Sequence, residues 1–211
     1  MKKLTMCLLL LMSVMSVSAQ NIKPFFTIST ESSLAYLSVN QRKDLIDLFE
    51  AGKQAAVPNS LRGKTELLDL SEQHLKLKLS SLTMVDMLLL NRADSIPVIL
   101  FLKSELGNLK ESNIKFYTTD WVKEMPESYI DLPTRYDFLK DPQDSTVREE
   151  IDAITDLFFL DIRVDTTTMI LSVLPSFNDP IDKAASERLK SLLINYPLRY
   201  RWGGSRFIRE E

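Results

Sequence analysis

His74-Leu75-Lys76-Leu77-Lys78-Leu79 alternates a polar with an apolar side chain at every step, and this stretch decides the fold class. Successive side chains of a strand point to opposite faces, so three leucines line one face while a His and two Lys line the other. The neighbouring stretches 65–70, 84–90, 97–103 and 114–120 also read as strands. The connectors between them are short and rich in Ser, Asn and Asp, as in Ser80-Ser81 and Asn91 to Ser95. Antiparallel neighbours can be joined by such turns, whereas parallel ones need crossovers of about a dozen residues or more. An antiparallel meander is therefore expected, with 96–102, apolar on both faces, placed centrally under helices.

Outward from this block, residues 21–33 are polar and β-prone and are expected to be extended. A helix follows over 41–51, with Asn40 as N-cap, Leu45, Leu48 and Phe49 at helical spacing, and Gly52 as the stop. Residues 126–142 carry three prolines and the aromatics Tyr129, Tyr136 and Phe138, which suits a docked connector. Thr146 and Glu149 form a capping-box pattern ahead of a Val147, Ile151, Ile154 stripe. Next comes a hairpin: Phe158, Leu160, Ile162 and Val164 alternate with Phe159, Asp161, Arg163 and Asp165, and Met169, Leu171 and Val173 return. Asp179-Pro180 reads as the cap and first turn of another helix carrying Ala185, Leu189 and Leu192. Leu198, Tyr200 and Trp202 alternate with Arg199 and Arg201 in a final strand, after which Gly203-Gly204 leads into a charged tail. The expected fold class is α+β, an antiparallel β-meander sheet or sheets with about three helices packed on one face. Residues 20–211 are expected to form a single domain, with two lobes over 34–124 and 143–211 as the other arrangement.

Residues 1–19 have the form of a signal peptide: Lys2-Lys3, an apolar run over 4–12 too short to span a bilayer, and Val17-Ser18-Ala19 before the cleavage point. Cleavage would remove Cys7 and two of the 26 basic residues, shifting the formal charge from −3 to −5. A thiol-free mature chain excludes disulfides, thiol catalysis and Cys-ligated metal. No later run is long enough for a membrane helix, so the expected setting is the periplasm or the exterior, with no transmembrane segment in the mature chain. The mild acidic excess, without a polybasic block, disfavours nucleic acid as a partner.

The chemical inventory is narrow. His74 is the one imidazole, and its place on the polar face of a strand predicts a solvated side chain. With no other His and no Cys in the mature chain, a typical zinc site is out of reach; a serine triad would have to use His74 as its base, and no nucleophile-elbow motif occurs. The five glycines form no phosphate-cradling motif, and Arg62-Gly63-Lys64 reads as a turn into a strand. Residues 137–144 offer acids without the glycine a calcium loop needs, so no metal site and no cofactor are expected. Carboxylates remain. Asp86 stands out within Met84-Val85-Asp86-Met87-Leu88, where a desolvated carboxyl would need a partner; alternation predicts that it points outward. Asp120 beside Trp121 is the second candidate acid, with a strand-end turn as its expected setting. The tail from Arg199 to Arg209 is dense in Arg and aromatics, residue types enriched at binding hot spots. Arg199, Tyr200, Arg201 and Trp202 are therefore the candidate partner-binding residues.

Asn40 to Asp47, Gly63 to Leu67, Phe116 to Trp121, Met84 to Leu90 and Pro197 to Trp202 together resemble a family of uncharacterised exported proteins from Bacteroidales, a domain of unknown function. The resemblance spans nearly the whole mature chain. It implies a Gram-negative envelope or secreted setting and brings no catalytic residues with it. The expected function is a non-catalytic binding or interaction module of the envelope, facing an unknown protein or envelope component. The alternatives are a carboxylate-dependent hydrolase acting on glycans, which would need Asp86 to meet a second carboxyl in a cleft, and a carrier of small apolar ligands.

Overall fold

The computed structural model describes residues 21–178 and 182–210. The expected signal peptide and the expected helix start at Asp179-Pro180 lie outside the described residues. Seven strands follow one another as an antiparallel meander: β1 (Ala56–Pro58), β2 (Lys64–Leu70), β3 (His74–Lys78), β4 (Thr83–Leu90), β5 (Val98–Leu106), β6 (Lys110–Tyr117) and β7 (Lys123–Glu124). A second antiparallel sheet takes β8 (Phe158–Asp165), β9 (Ile170–Phe177), β10 (Leu198–Trp202) and β11 (Phe207–Arg209) in the order β11-β10-β9-β8. The described residues hold four α-helices, one more than expected: α1 (Ile22–Ile28), α2 (Val39–Glu50), α3 (Ser145–Ile154) and α4 (Lys183–Leu192).

Alternation in β3 to β5 feeds two cores. Leu75, Leu77, Val85, Met87, Leu89, Ile99 and Phe101 meet α1 and α2 through Ile22, Phe26, Leu45 and Ile46. From the opposite face Leu88, Leu90, Val98, Leu100, Leu102, Ile114 and Phe116 meet Ile162, Leu171, Val173, Leu198, Tyr200 and Phe207 of the second sheet. The expectation of helices over one face holds for α1 and α2. The apolar character of the other face of β4 and β5 is explained by the second sheet. A smaller cluster joins α3 and α4 through Ile151, Leu189 and Leu192, with Leu139 from the connector.

Several local expectations are corrected. Residues 22–28, expected to be extended, form α1: Asn21 accepts from the Lys23 N–H, and Ile22 and Phe26, one turn apart, are fully buried. An isolated helix this short is unstable in water, so its apolar contacts with the large sheet, and not its propensity, hold it. The cap of α2 is Ser38 instead of Asn40. Its Oγ accepts from Gln41 N at 3.2 Å while Gln41 Oε1 accepts from Ser38 N at 2.8 Å, a reciprocal capping box. At the other end Lys53 N donates to Leu48 O and Gly52 N to Phe49 O, each at 3.0 Å, with Gly52 at φ +66°; this is a Schellman motif. Ser38→Ala is expected to destabilise the chain by about 1 kcal/mol, measured by urea unfolding; an unchanged midpoint would show that the cap carries nothing.

Asp144, and not Thr146, caps α3, and Asp182 caps α4. The expected tail is instead a hairpin: Gly203 N donates to Arg206 O, and β11 pairs with β10 from Tyr200↔Arg209 to Trp202↔Phe207. The connector is docked as expected, with Tyr129, Ile130 and Phe138 buried.

Candidate functional site

On β4 the even-numbered residues from 84 to 90 face the second sheet. Leu88 and Leu90 reach its core, whereas Asp86 and Met84 lie farther along the strand, where β8 forms that sheet's edge. The crossing is fixed by polar bonds: Ile162 N donates to Ser112 Oγ at 2.9 Å, and Lys110 N donates to Ser176 Oγ at 3.0 Å. Beside this crossing is a cleft of about 500 Å³ lined by Lys76, Met84, Asp86, Ser104, Leu106, Lys110, Asp161, Ile162, Arg163 and Val164.

Asp86 does not point into open solvent as alternation predicted; its side chain is 8% exposed. His74, expected to be solvated, is 3% exposed, with Nε2 at 2.8 Å from Asp86 Oδ1 and Nδ1 at 3.2 Å from Asp69 Oδ2. Lys76 Nζ stands 3.5 Å from the same Asp86 oxygen. The alternation assigned these residues to the correct face of the strand but did not show what covers that face. Burial of a charge requires such partners. Asp161, which the sequence offered only as one polar position of a hairpin, enters the same cleft from β8. Its side chain is 9% exposed, with Arg163 Nη2 at 2.7 Å and Lys110 Nζ at 3.6 Å from Oδ2. The signal that singled out Asp86, an acid inside an apolar strand, was present at Asp161 as well.

The C-terminal hairpin divides the four candidate partner-binding residues. Tyr200 is buried in the core between the sheets. Trp202 packs on Phe207 and Tyr129, and its Nε1 donates to Asn91 O at 2.7 Å. Arg199 and Arg201 are exposed and share Glu210, at 3.3 and 2.7 Å. Arg209 bonds Asp137 at 3.1 Å, and Arg206 lies 2.7 Å from Asp131. Burial pushes the Asp137 carboxyl upward, but hydrogen bonds from the Thr134 hydroxyl and N–H and from Arg209 outweigh it and hold the group below its ordinary value. A groove of about 850 Å³ runs along this edge, lined by Asp137, Leu139, Lys140, Pro142, Ile194, Tyr196, Pro197, Leu198, Arg199, Arg209 and Glu210.

Asp120 is exposed in a turn closed by Trp121 N to Thr118 O and joins neither hollow. Trp121 beside it, at φ +62°, is buried and donates from Nε1 to Phe25 O at 3.1 Å, tying the turn to α1. Two further charges escaped the sequence reading. Glu31 is buried and accepts from the Tyr117 hydroxyl, from Lys115 Nζ at 2.9 Å and from Ser33 N at 3.2 Å. Arg42 is buried on α2 and donates to the carbonyls of Ser29 at 2.6 Å and Leu34 at 2.9 Å. Both fasten the segment between α1 and α2, a structural role. Among the described residues no group of three or more His, Asp or Glu gathers as a metal site, and no helix is long and apolar enough to cross a membrane.

A domain of an uncharacterized protein from Porphyromonas gingivalis W83 has a solved structure similar to this one. Its TM-score is 0.77 at 24% sequence identity, with 90% of this chain and 98% of that chain covered. At that identity the likeness shows the fold alone. No curated protein matches the chain. The family described as "Protein of unknown function (DUF3256)" matches residues 14–207, and the chain belongs to that family.

Proposed function

We propose that this chain is a non-catalytic binding module, exported to the periplasm or secreted, that engages a protein or another component of the bacterial envelope through its C-terminal hairpin. The observation that carries the reading is the groove of about 850 Å³ beside Arg199 and Arg209. Tyr200 and Trp202 anchor the hairpin to the core, while Arg199 and Arg201 stand outside it, held by Glu210. Arginines already held by a carboxylate lose less freedom on meeting a partner, and arginine is a favoured hot-spot residue. Partner recovery from an envelope extract with wild type and with Arg199→Ala/Arg201→Ala tests it. Loss of the bound component from the double variant is expected; an identical bound set overturns the reading. Export has a separate test: the protein recovered from cells is expected to begin at Gln20, and a retained Met1 would refute cleavage.

A carboxylate-dependent hydrolase of glycans is the second reading, favoured by Asp86 and Asp161 lining one cleft. Such an enzyme needs one carboxyl placed as a proton donor. Both acids here already hold cations, so binding without turnover is the better account of the geometry.

A further inference from the structure

The cleft between the sheets presents polar groups that the hairpin reading does not use. Asp86 and Asp161 enter it from different sheets, and both side chains are more than nine-tenths buried. Each carboxylate meets its neighbours through one oxygen: Asp86 Oδ1 faces the His74 ring and Lys76, and Asp161 Oδ2 faces Arg163 and Lys110. Asp86 Oδ2 and Asp161 Oδ1 have no hydrogen-bond or ion-pair partner among the described residues, and neither is sealed from solvent. Both therefore reach solvent, and water supplies their donors in the free protein. A ligand that displaces this water has to supply donors in its place.

The charges around them select the kind of donor. A metal ion or an amine would meet Lys76, Lys110 and Arg163 in the same space, and an anion would meet the two carboxylates. A hydroxyl group donates to one neighbour and accepts from another. A neutral ligand carrying several hydroxyls therefore suits the acids and the ammonium groups together. Ser104, whose hydroxyl lies 3.0 Å from that of Ser112, adds a neutral polar contact, while Leu106 and Val164 offer apolar surface for a carbon skeleton. The volume of about 500 Å³ is within the range of small-molecule sites.

We propose that this cleft binds a neutral saccharide unit, whose hydroxyls donate to the open oxygens of Asp86 and Asp161 and accept from Lys76 and Lys110. The site is separate from the hairpin groove and stands whether or not that groove holds a partner. The test is titration of the ¹⁵N-labelled protein with glucose, galactose, N-acetylglucosamine and cellobiose, alongside inorganic phosphate and ethylamine as charged probes. At least one sugar is expected to shift the amide signals around Lys76, Asp86, Ser104 and Asp161. Asp161→Asn, which keeps the side-chain shape, is expected to weaken that binding about tenfold, as is Lys76→Gln. These two variants carry the test if Asp86→Asn, which disturbs the His74 contact, fails to fold. Arg199→Ala/Arg201→Ala is expected to leave the sugar response intact. No response to any of the sugars, shifts confined to the hairpin, or tighter binding of phosphate or ethylamine at the same amides would each overturn the proposal.

Discussion

Phe116→Ala is expected to lower the unfolding free energy by about 4 kcal/mol, corresponding to a fall in Tm of roughly 10 °C for a chain of this size. Phe116 is fully buried on β6. Its ring stacks on Tyr129 at 4.6 Å between centroids and lies 6.4 Å from Phe207, so one side chain joins the large sheet, the connector and β11. Truncation removes apolar burial and leaves a cavity that three separately anchored elements cannot easily close. Because Phe116 belongs to the cluster that both sheets contribute to, the variant should still unfold in a single transition. Calorimetry and urea unfolding read both quantities. A loss below about 0.5 kcal/mol, the level of an ordinary surface change, or two resolved transitions would show that the sheets do not share this core energetically.

Glu31 is expected to give the chain a distinct acid sensitivity. Burial pushes its carboxyl upward, but hydrogen bonds from the Tyr117 hydroxyl, Lys115 and the Ser33 N–H, with the Lys115 charge, bring it from an ordinary 4.5 down to about 2. A folded-state value below the unfolded one means that the unfolded chain binds the proton more readily. The associated stability is therefore fully present above about pH 4.5 and is lost as the pH falls toward 2. Linkage puts its size on the order of 3 kcal/mol. Glu31→Gln should be less stable than wild type at pH 7 by a comparable amount, and the two should converge as the pH approaches 2. Other depressed carboxyls, such as Asp137, are common to both chains and cancel in the difference. Urea unfolding from pH 7 to pH 2.5 measures it, and parallel stability curves would refute the assignment. The Tyr117 phenol moves the opposite way, raised by burial and by its bond to Glu31, so it stays protonated and continues to donate.

The large sheet is legible in the sequence because there one residue pattern has one physical cause. The Leu/Lys alternation of 74–79 can bury a single face only as a strand, and the short polar connectors can join only antiparallel neighbours. The seven-strand meander follows from these two facts. Elements whose cause lies far along the chain are not legible in this way. Ile22 and Phe26 form a helical pair too brief to register in a polar segment, and α1 exists because the face of β4 and β5 carrying Met87 and Phe101 offers it an apolar surface. The tail after Gly203 looked like a charged terminus because a three-residue strand has no periodicity to display; its partner β10 specifies it.

The candidate sites divide along the same line. Residue type and alternation alone marked Asp86 as anomalous and placed Arg199 and Arg201 on the outward side of a strand. They also narrowed the chemistry by supplying one His and few glycines. Tertiary structure decided that His74 is buried between two carboxylates, that Asp161 and Asp86 line one cleft, and that Tyr200 serves the core. Alternation reports the side of a strand on which a residue lies, which is local backbone geometry. Whether that side meets water, a helix or a second sheet depends on contacts between residues far apart in the chain, such as Ser112 and Ile162, 50 positions apart, and the packing of the two sheets sets those contacts.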